Sequence, residues 1–401
     1  MDFLEVKNIN KSFKNKKILK DVTFNIKKGE ISSIFGYSGE GKSTVLSIIC
    51  GLLKQDSGDV FLNGKNISKM EPYERSISLV MDEPLLFPNM NTMENIAFGL
   101  KLNKNRTKLS LHKQNKKSVK DIVLNIMDIL GISGLENRYP GEISMGQSQR
   151  ISLARAIVTN PDIILMDEPF SNLDIISKTK VRSLIKNIQK ELKITILLVT
   201  HDIEDVMNLS DTMFILNKGY IQEFGNPEDI IKKPSSWDTA CLMGTENIFE
   251  GKIISSDKEN NRIIICFKNS GSINNDKHVE CFYQPDFEEN EDVYFVIRPE
   301  DIIILREDRI PSNAVKENHF KGRITSAIFT SRMMEILIST SENQSDNIQF
   351  KVLMPFHAYE IMKLSAGKTV SISLKKSAIH IIKRKQHMAY TQTSVGGYPA
   401  K

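Results

Sequence analysis

The residues Gly36-Tyr37-Ser38-Gly39-Glu40-Gly41-Lys42-Ser43-Thr44 carry the spacing G-x-x-x-x-G-K-[S/T]. Such a loop wraps the chain around phosphate with backbone N–H groups turned inward, while the lysine reaches the β- and γ-phosphates and the next hydroxyl reaches magnesium. Gly36, Ser38, Gly39, Gly41, Lys42, Ser43 and Thr44 are therefore candidate nucleotide-binding residues, and Ser43 is also a candidate magnesium ligand. A second group closes the apolar run Ile163 to Met166, which ends in Asp167 and Glu168. An aspartate in that place suits magnesium, and the adjoining glutamate can accept a proton from an attacking water. A third run, Ile194 to Val199, delivers Thr200 and His201. A lone histidine is usually structural; at the end of a buried strand beside this group it is a candidate contact for the γ-phosphate.

The elements that must position these residues can be read from the pattern. Ile31 to Phe35 reads as a short strand and Ser43 to Leu53 as a helix, so the phosphate loop lies between them and aims a positive helix end at anionic oxygens. A continuous apolar run such as Ile163 to Met166 fits a strand covered on both faces in a parallel sheet, whose end meets the ligand crevice. Val181, Leu184, Ile185, Ile188 and Leu192 recur at helical spacing, as do Ile122, Val123, Ile126, Ile129 and Leu130. Helices flanking buried strands define an α/β core.

With Ile143-Ser144-Met145-Gly146-Gln147 standing between the phosphate loop and Asp167-Glu168, the first 240 residues or so resemble the nucleotide-binding subunit of an ATP-binding cassette (ABC) transporter, with every family motif in order. The resemblance implies an α/β P-loop domain with a helical subdomain near residues 83–155, and ATP and Mg2+ as cofactors. It places Phe13 where an aromatic ring stacks on adenine, and matches Ser171-Asn172-Leu173-Asp174 to a loop that crosses to a partner subunit. His201 falls at the switch histidine, which with Glu168 makes the catalytic pair. Ser144, Gly146 and Gln147 fall in the signature that covers the γ-phosphate held by the other subunit's Lys42, so hydrolysis is expected of a homodimer. The segment from Leu86 to Phe98 corresponds to the part that docks a permease helix. Two positions depart from the family. Asp82 stands where a glutamine usually touches magnesium and the attacking water; a carboxylate can still bind the metal, but it cannot donate a hydrogen bond when ionised, and altered hydrolysis is expected. Met145 replaces the first of two glycines, which would crowd the loop if its φ had to be positive.

Composition frames this reading. At 401 residues with 40% hydrophobic side chains the chain supports two or three domains with proper cores. No apolar run approaches a membrane span, the start lacks the features of a secretion signal, and four scattered cysteines, Cys50, Cys241, Cys266 and Cys281, fit inert packing in a reducing compartment. The net charge is +5, and the stretch Lys101 to Lys120 is basic with no acidic residue. That stretch reads as a solvated face or insertion, with weak attraction to anionic lipid as the functional alternative. No aromatic platform is interleaved, so nucleic acid is not an expected partner.

Past Trp237 the texture changes to short β-branched segments separated by polar turns, which predicts small antiparallel OB-like barrels over 237–385 after a nucleotide-binding domain at 1–236. Val296-Ile297-Arg298-Pro299-Glu300-Asp301 is similar to the regulatory β-domain of importer ATPases. Asn318-His319-Phe320-Lys321-Gly322 and Ser373-Leu374-Lys375-Lys376-Ser377 resemble the molybdate- or tungstate-binding type. By that resemblance Lys375 and Ser377 are candidate ligands for a regulatory oxyanion, although Val315, Lys316 and Glu317 depart from it and Glu317 would repel an anion. Residues 386–401 read as a flexible tail. The expected function is the ATP-hydrolysing subunit of a multi-component importer at the cytoplasmic face of the membrane, working with permease subunits and an extracytoplasmic solute-binding protein. The expected cargo is molybdate or tungstate, with ferric iron, sulfate, sugar or polyamine as alternatives. The rivals are an ABC protein acting on ribosomes or DNA and a non-hydrolysing regulator.

Overall fold

The computed structural model describes residues 2–102, 118–269, 272–306, 317–330, 333–341 and 347–384. Most of the basic stretch, including Lys104, Arg106, Lys108, Lys113, Lys116 and Lys117, lies outside the described residues, as do Val315, Lys316 and the tail. The chain divides into two units, Met1–Ile230 and Ile231–Lys401, ahead of the boundary expected after residue 236.

The first unit contains β1 (Asp2–Phe13), β2 (Lys16–Lys27), β3 (Ile31–Phe35), β4 (Ser57–Leu62), β5 (Lys65–Asn66), β6 (Ile77–Val80), β7 (Ile163–Asp167), β8 (Thr195–Thr200), β9 (Thr212–Asn217) and β10 (Tyr220–Gly225). One antiparallel sheet has the order β2-β1-β4-β5, and a six-stranded sheet has the order β10-β9-β3-β8-β7-β6. Strand β8 runs parallel to both β3 and β7, with Phe35 opposite Thr200 and Asp167 opposite Val199. Parallel neighbours end on the same edge, so the residues that follow these three strands meet there.

The apolar runs in this sheet serve two cores. In β7, Ile163 and Leu165 face a cluster with β1, β2 and the helix Lys42–Cys50, while Ile164 and Met166 face a cluster with the helices Thr92–Leu102, Val119–Ile129, Met145–Ile157 and Ile175–Leu192. The same alternation divides Leu197 and Val199 from Ile196 and Leu198 in β8. Each such side chain removed from water contributes about 1.5–3 kcal/mol before entropy is counted.

Two expected elements end differently. The helix after the phosphate loop stops at Cys50, because Gly51 takes the left-handed conformation at φ 86° and the Arg75 guanidinium donates to the carbonyls of Ile48 and Ile49. Leu192, placed on the apolar stripe of its helix, is exposed because the helix ends there. Among the described residues no helix is long and apolar enough to cross a membrane.

The second unit is β-rich, with β11 (Asn247–Asp257), β12 (Arg262–Asn269), β13 (Ser272–Cys281), β14 (Asp292–Ile297), β15 (Ile302–Ile304), β16 (His319–Thr330), β17 (Met333–Ser339), β18 (Gln349–Pro355), β19 (Thr369–Leu374) and β20 (His380–Lys383). They form two five-stranded antiparallel sheets, β13-β12-β11-β14-β20 and β15-β19-β16-β17-β18. Phe267, Phe295, Phe320 and Phe350 fill one core common to both sheets. Asn247 on β11 also exchanges two hydrogen bonds with the Lys351 backbone on β18. The β-module expected from the sequence is thus a pair of sheets around a shared core, consistent with an OB-like domain. Cys50, Cys266 and Cys281 are buried and all four cysteines are free.

Candidate nucleotide site

Gly36 follows β3 with no room for a side chain, since a Cβ there would lie 2.3 Å from the Leu216 carbonyl oxygen. Gly39 and Gly41 take φ of 88° and 99°, conformations that favour glycine. The loop so turned buries the Lys42 side chain, whose ammonium donates to the carbonyls of Gly36 and Tyr37 at 2.9 Å each. Burial pulls the Lys42 pKa down, and Glu168, Asp167 and Glu40 pull it back up. Ser38, Ser43 and Thr44 line the same turn, Ser38 and Ser43 exposed and Thr44 half-buried.

The parallel neighbours bring their end residues to this loop. Ser43 Oγ donates to Asp167 Oδ1 at 3.0 Å. Glu168 Oε1 lies 3.9 Å from Lys42 Nζ, and Glu168 Oε2 lies 2.9 Å from His201 Nδ1. Glu168 sits at φ 42°, with its N–H donating to the Val199 carbonyl, a left-handed turn that directs the carboxylate off the strand end. Burial raises the Asp167 pKa, the Ser43 hydrogen bond opposes the rise, and the charges of Glu168 and Asp82 add to it. Asp82 is exposed, and Asn172 Nδ2 donates to its carbonyl at 3.4 Å.

These oxygens fit a magnesium ion shared with phosphate. Such an ion uses one or two carboxylates plus phosphate oxygens and water rather than a cage made only of protein. Ser43, Asp167 and Asp82 supply hard oxygen donors beside the phosphate loop, and a cation would relieve the crowded negative charge around Asp167. Among the described residues no group of three or more His, Cys, Asp or Glu forms a metal cluster by itself.

The signature residues are organised elsewhere in the same unit. Ser144 Oγ accepts from Gln147 N–H while the Gln147 side chain accepts from Ser144 N–H, a reciprocal cap on the helix Met145–Ile157. Gly146 lies against Ser177, where an added Cβ would be 3.4 Å from the hydroxyl. Asp174 caps the helix Ile175–Leu192 by accepting from Ile176 and Ser177, which pulls its pKa down. Ser144, Gly146, Gln147 and Asp174 therefore make these hydrogen bonds and close contacts at helix starts. Met145 is absent from the residues with positive φ, so the crowding expected from its side chain does not arise. Phe13, at the tip of the β1–β2 hairpin, is 46% exposed.

Several residues had been given no role from sequence. Arg182, on the helix that Asp174 caps, pairs with Asp202, Glu204 and Asp205, which follow His201. Asp205 in turn accepts from the Thr200 hydroxyl at 2.8 Å, and that hydroxyl accepts from Asp202 N–H at 3.0 Å. The only sequence signal was a buried-strand threonine followed by closely spaced acids, which is too common to interpret alone. Near Asp82, Phe87 packs on Phe98, and a cleft of about 580 Å3 is lined by Glu83, Pro84, Leu85, Leu86, Met145 and Asn172.

In the second unit the two residues expected to hold an oxyanion lie at the surface. Lys375 and Ser377 are exposed and neither lines the cleft that Glu280, Glu317 and Lys376 border. Lys376 there is held by Glu280 at 2.7 Å, and the Glu317 carboxylate accepts its N–H at 2.9 Å. Lys277, His278, His319 and Lys321 line the same cleft, so it carries charges of both signs.

Comparison with known proteins agrees with this geometry. Residues 19–171 match the family described as ABC transporter. The spermidine/putrescine import ATP-binding protein PotA of Acetivibrio thermocellus is 36% identical over 388 residues, covering 97% of this chain and 98% of its own length. PotA of Clostridium novyi is 32% identical over 96% of this chain and 98% of its own. Among solved structures, the ADP conformation of MJ1267, an ATP-binding cassette of an ABC transporter, superposes with a TM-score of 0.53 at 28% identity, over 60% of this chain and 99% of that one. The structure of cbiO1 from Clostridium perfringens, part of the ABC transporter complex cbiONQ, gives a TM-score of 0.51 at 30% identity, over 57% of this chain and 91% of that one. With a phosphate loop, a carboxylate pair and a histidine on one sheet edge, and full-length relatives of this kind, the chain belongs to the ABC transporter family as an ATP-hydrolysing, ATP-binding subunit of an importer.

Proposed function

We propose that this chain drives polyamine uptake, with two copies closing around ATP and passing the motion to permease subunits at the cytoplasmic face of the membrane. The observation that carries the hydrolytic half is the meeting of Lys42, Ser43, Asp167, Glu168 and His201 at one edge. In this reading Lys42 and the loop N–H groups hold the β- and γ-phosphates. Ser43 and Asp167, with Asp82 beside them, would hold magnesium, whose charge would offset that of the phosphates. Glu168 Oε2 accepts a proton from the attacking water, and His201 orients that carboxylate while contacting the γ-phosphate. Ser144 bonds Gln147 and Gly146 lies against Ser177, neither of them part of the phosphate loop, which supports a second copy completing the site.

The cargo assignment rests on relatives named for spermidine and putrescine import. Molybdate or tungstate, the cargo expected from the second unit's sequence, gives way on the names of these relatives. The cleft at Glu83 to Leu86, where Pro84, Leu85, Leu86 and Met145 stand beside Glu83 and Asn172, is the surface offered to a permease helix. Uptake of labelled spermidine and molybdate by cells carrying the complete transporter tests the proposal. Glu168→Gln is expected to lower ATP turnover by about 10²–10⁴-fold with nucleotide binding intact and to abolish spermidine uptake. Uptake of molybdate but not spermidine would overturn the cargo, and unchanged turnover would remove Glu168 as the base.

A further inference from the structure

The end of β1 is tied down in a way that the phosphate chemistry does not require. Lys11 Nζ donates to the Lys54 carbonyl at 2.7 Å and to Asp56 Oδ1 at 2.9 Å. Ser12 N–H donates to Asp56 Oδ2 at 2.6 Å, and Asp56 N–H donates to the Asn10 carbonyl at 2.9 Å. Three successive residues of β1 are thus bound to 54–56, the segment that follows the helix Lys42–Cys50. Lysine side chains are normally solvated, yet that of Lys11 is only 14% exposed. Its ammonium lies over the ring of Phe13, 5.6 Å from the centroid. The register of β1 against β2 also shifts on both sides of Lys11, where the strand bends into the tip that carries Phe13.

We infer that Lys11 and Asp56 are positioning residues for the nucleotide base. This rests on the reading of Phe13 as the platform on which the base stacks. The clamp fixes the ring at one distance from the phosphate loop, because both ends of the tie belong to the strand bearing the ring and to the chain leaving the phosphate-loop helix. One ring face is covered by the ammonium, and a flat aromatic partner then has a single face to use. A cation on one side and a purine on the other both find the ring's π-density, so the arrangement selects a planar heterocycle over any other group tethered to the triphosphate.

Calorimetric titration of the full chain with ATP and, separately, with inorganic tripolyphosphate separates base positioning from general support of the loop. Phe13→Ala, Lys11→Met and Asp56→Asn are each expected to weaken ATP about tenfold, the scale of one lost base–aromatic stack, while tripolyphosphate affinity stays unchanged. Lys11→Arg keeps the cation and is expected to restore most of the loss. Adding Asp56→Asn to Phe13→Ala is expected to weaken ATP no further. Normal ATP affinity in Lys11→Met and Asp56→Asn, with Phe13→Ala weakened, would overturn the clamp and leave the platform standing. Equal weakening of tripolyphosphate would reduce the clamp to structural support, and normal ATP affinity in Phe13→Ala would remove the platform and the clamp together.

Discussion

The acids around Ser43 set the working range of the site. Asp167 is raised by burial and by the charges of Glu168 and Asp82, so its folded-state pKa lies above its unfolded value. Its burial penalty is absent below the unfolded pKa and grows as pH rises through the folded one, so this group lowers stability as pH increases across that window. Activity has the opposite sign, because only the ionised carboxylate binds a cation. Asp82→Gln removes one of the charges holding the pKa up, and the acid limb of the pH–rate profile is expected to move to lower pH. An unmoved limb would show that the Asp82 charge does not reach Asp167 in the working enzyme. Gly36→Ala has a purely steric expectation: its Cβ would lie 2.3 Å from the Leu216 carbonyl oxygen, and the forced backbone shift costs about 1–3 kcal/mol. Thermal unfolding measures this, and nucleotide affinity should fall with it. Lys42, Ser43, Asp167, Glu168 and His201 were legible in sequence because each sits at a fixed distance from an apolar run. The repulsive Glu317 was legible too, but its sharing one cleft with Glu280 and Lys376 was not, because these residues lie on segments far apart in sequence.

At the level of elements, the helix Ile175–Leu192 is joined to the His201 turn through Arg182. Its guanidinium is nine-tenths buried and faces Asp205, which is more deeply buried still. Removing one partner of such a pair leaves a charge without compensation, so Arg182→Ala is expected to destabilise the first unit by about 3–5 kcal/mol, read from the urea midpoint. A loss below about 1 kcal/mol would place the pair in the weak surface class. Apolar periodicity predicted this helix and the strand after it, but it could not predict the link between the helix and the turn beyond that strand, which is polar and non-local. The same limit applies to the helix end at Gly51, where Arg75 reaches the last carbonyls from a distant turn.

At the scale of the whole molecule, each large apolar cluster belongs to one unit. Leu165 and Met166 anchor cores of the first, and Phe295 and Phe350 anchor that of the second. Calorimetric unfolding is therefore expected to resolve two transitions. ATP at a hundred times its Kd should raise the stability of only one, by about 2.7 kcal/mol. A single transition moved as a whole by ATP would contradict independent cores. The α/β class and the change to β-structure near Trp237 were plain from pattern, since strand and helix periods differ; the pairing of two five-stranded sheets was not, because alternation fixes a face and leaves the partner open. The groups assigned to the phosphates follow directly on strands β3, β7 and β8, which are covered on both sides. A wall packed so closely transmits force without bending. Whatever displacement the loss of a phosphate sets off must emerge at the rim, beyond Asp82 and Asp174, and travel outward as the swing of a stiff lever.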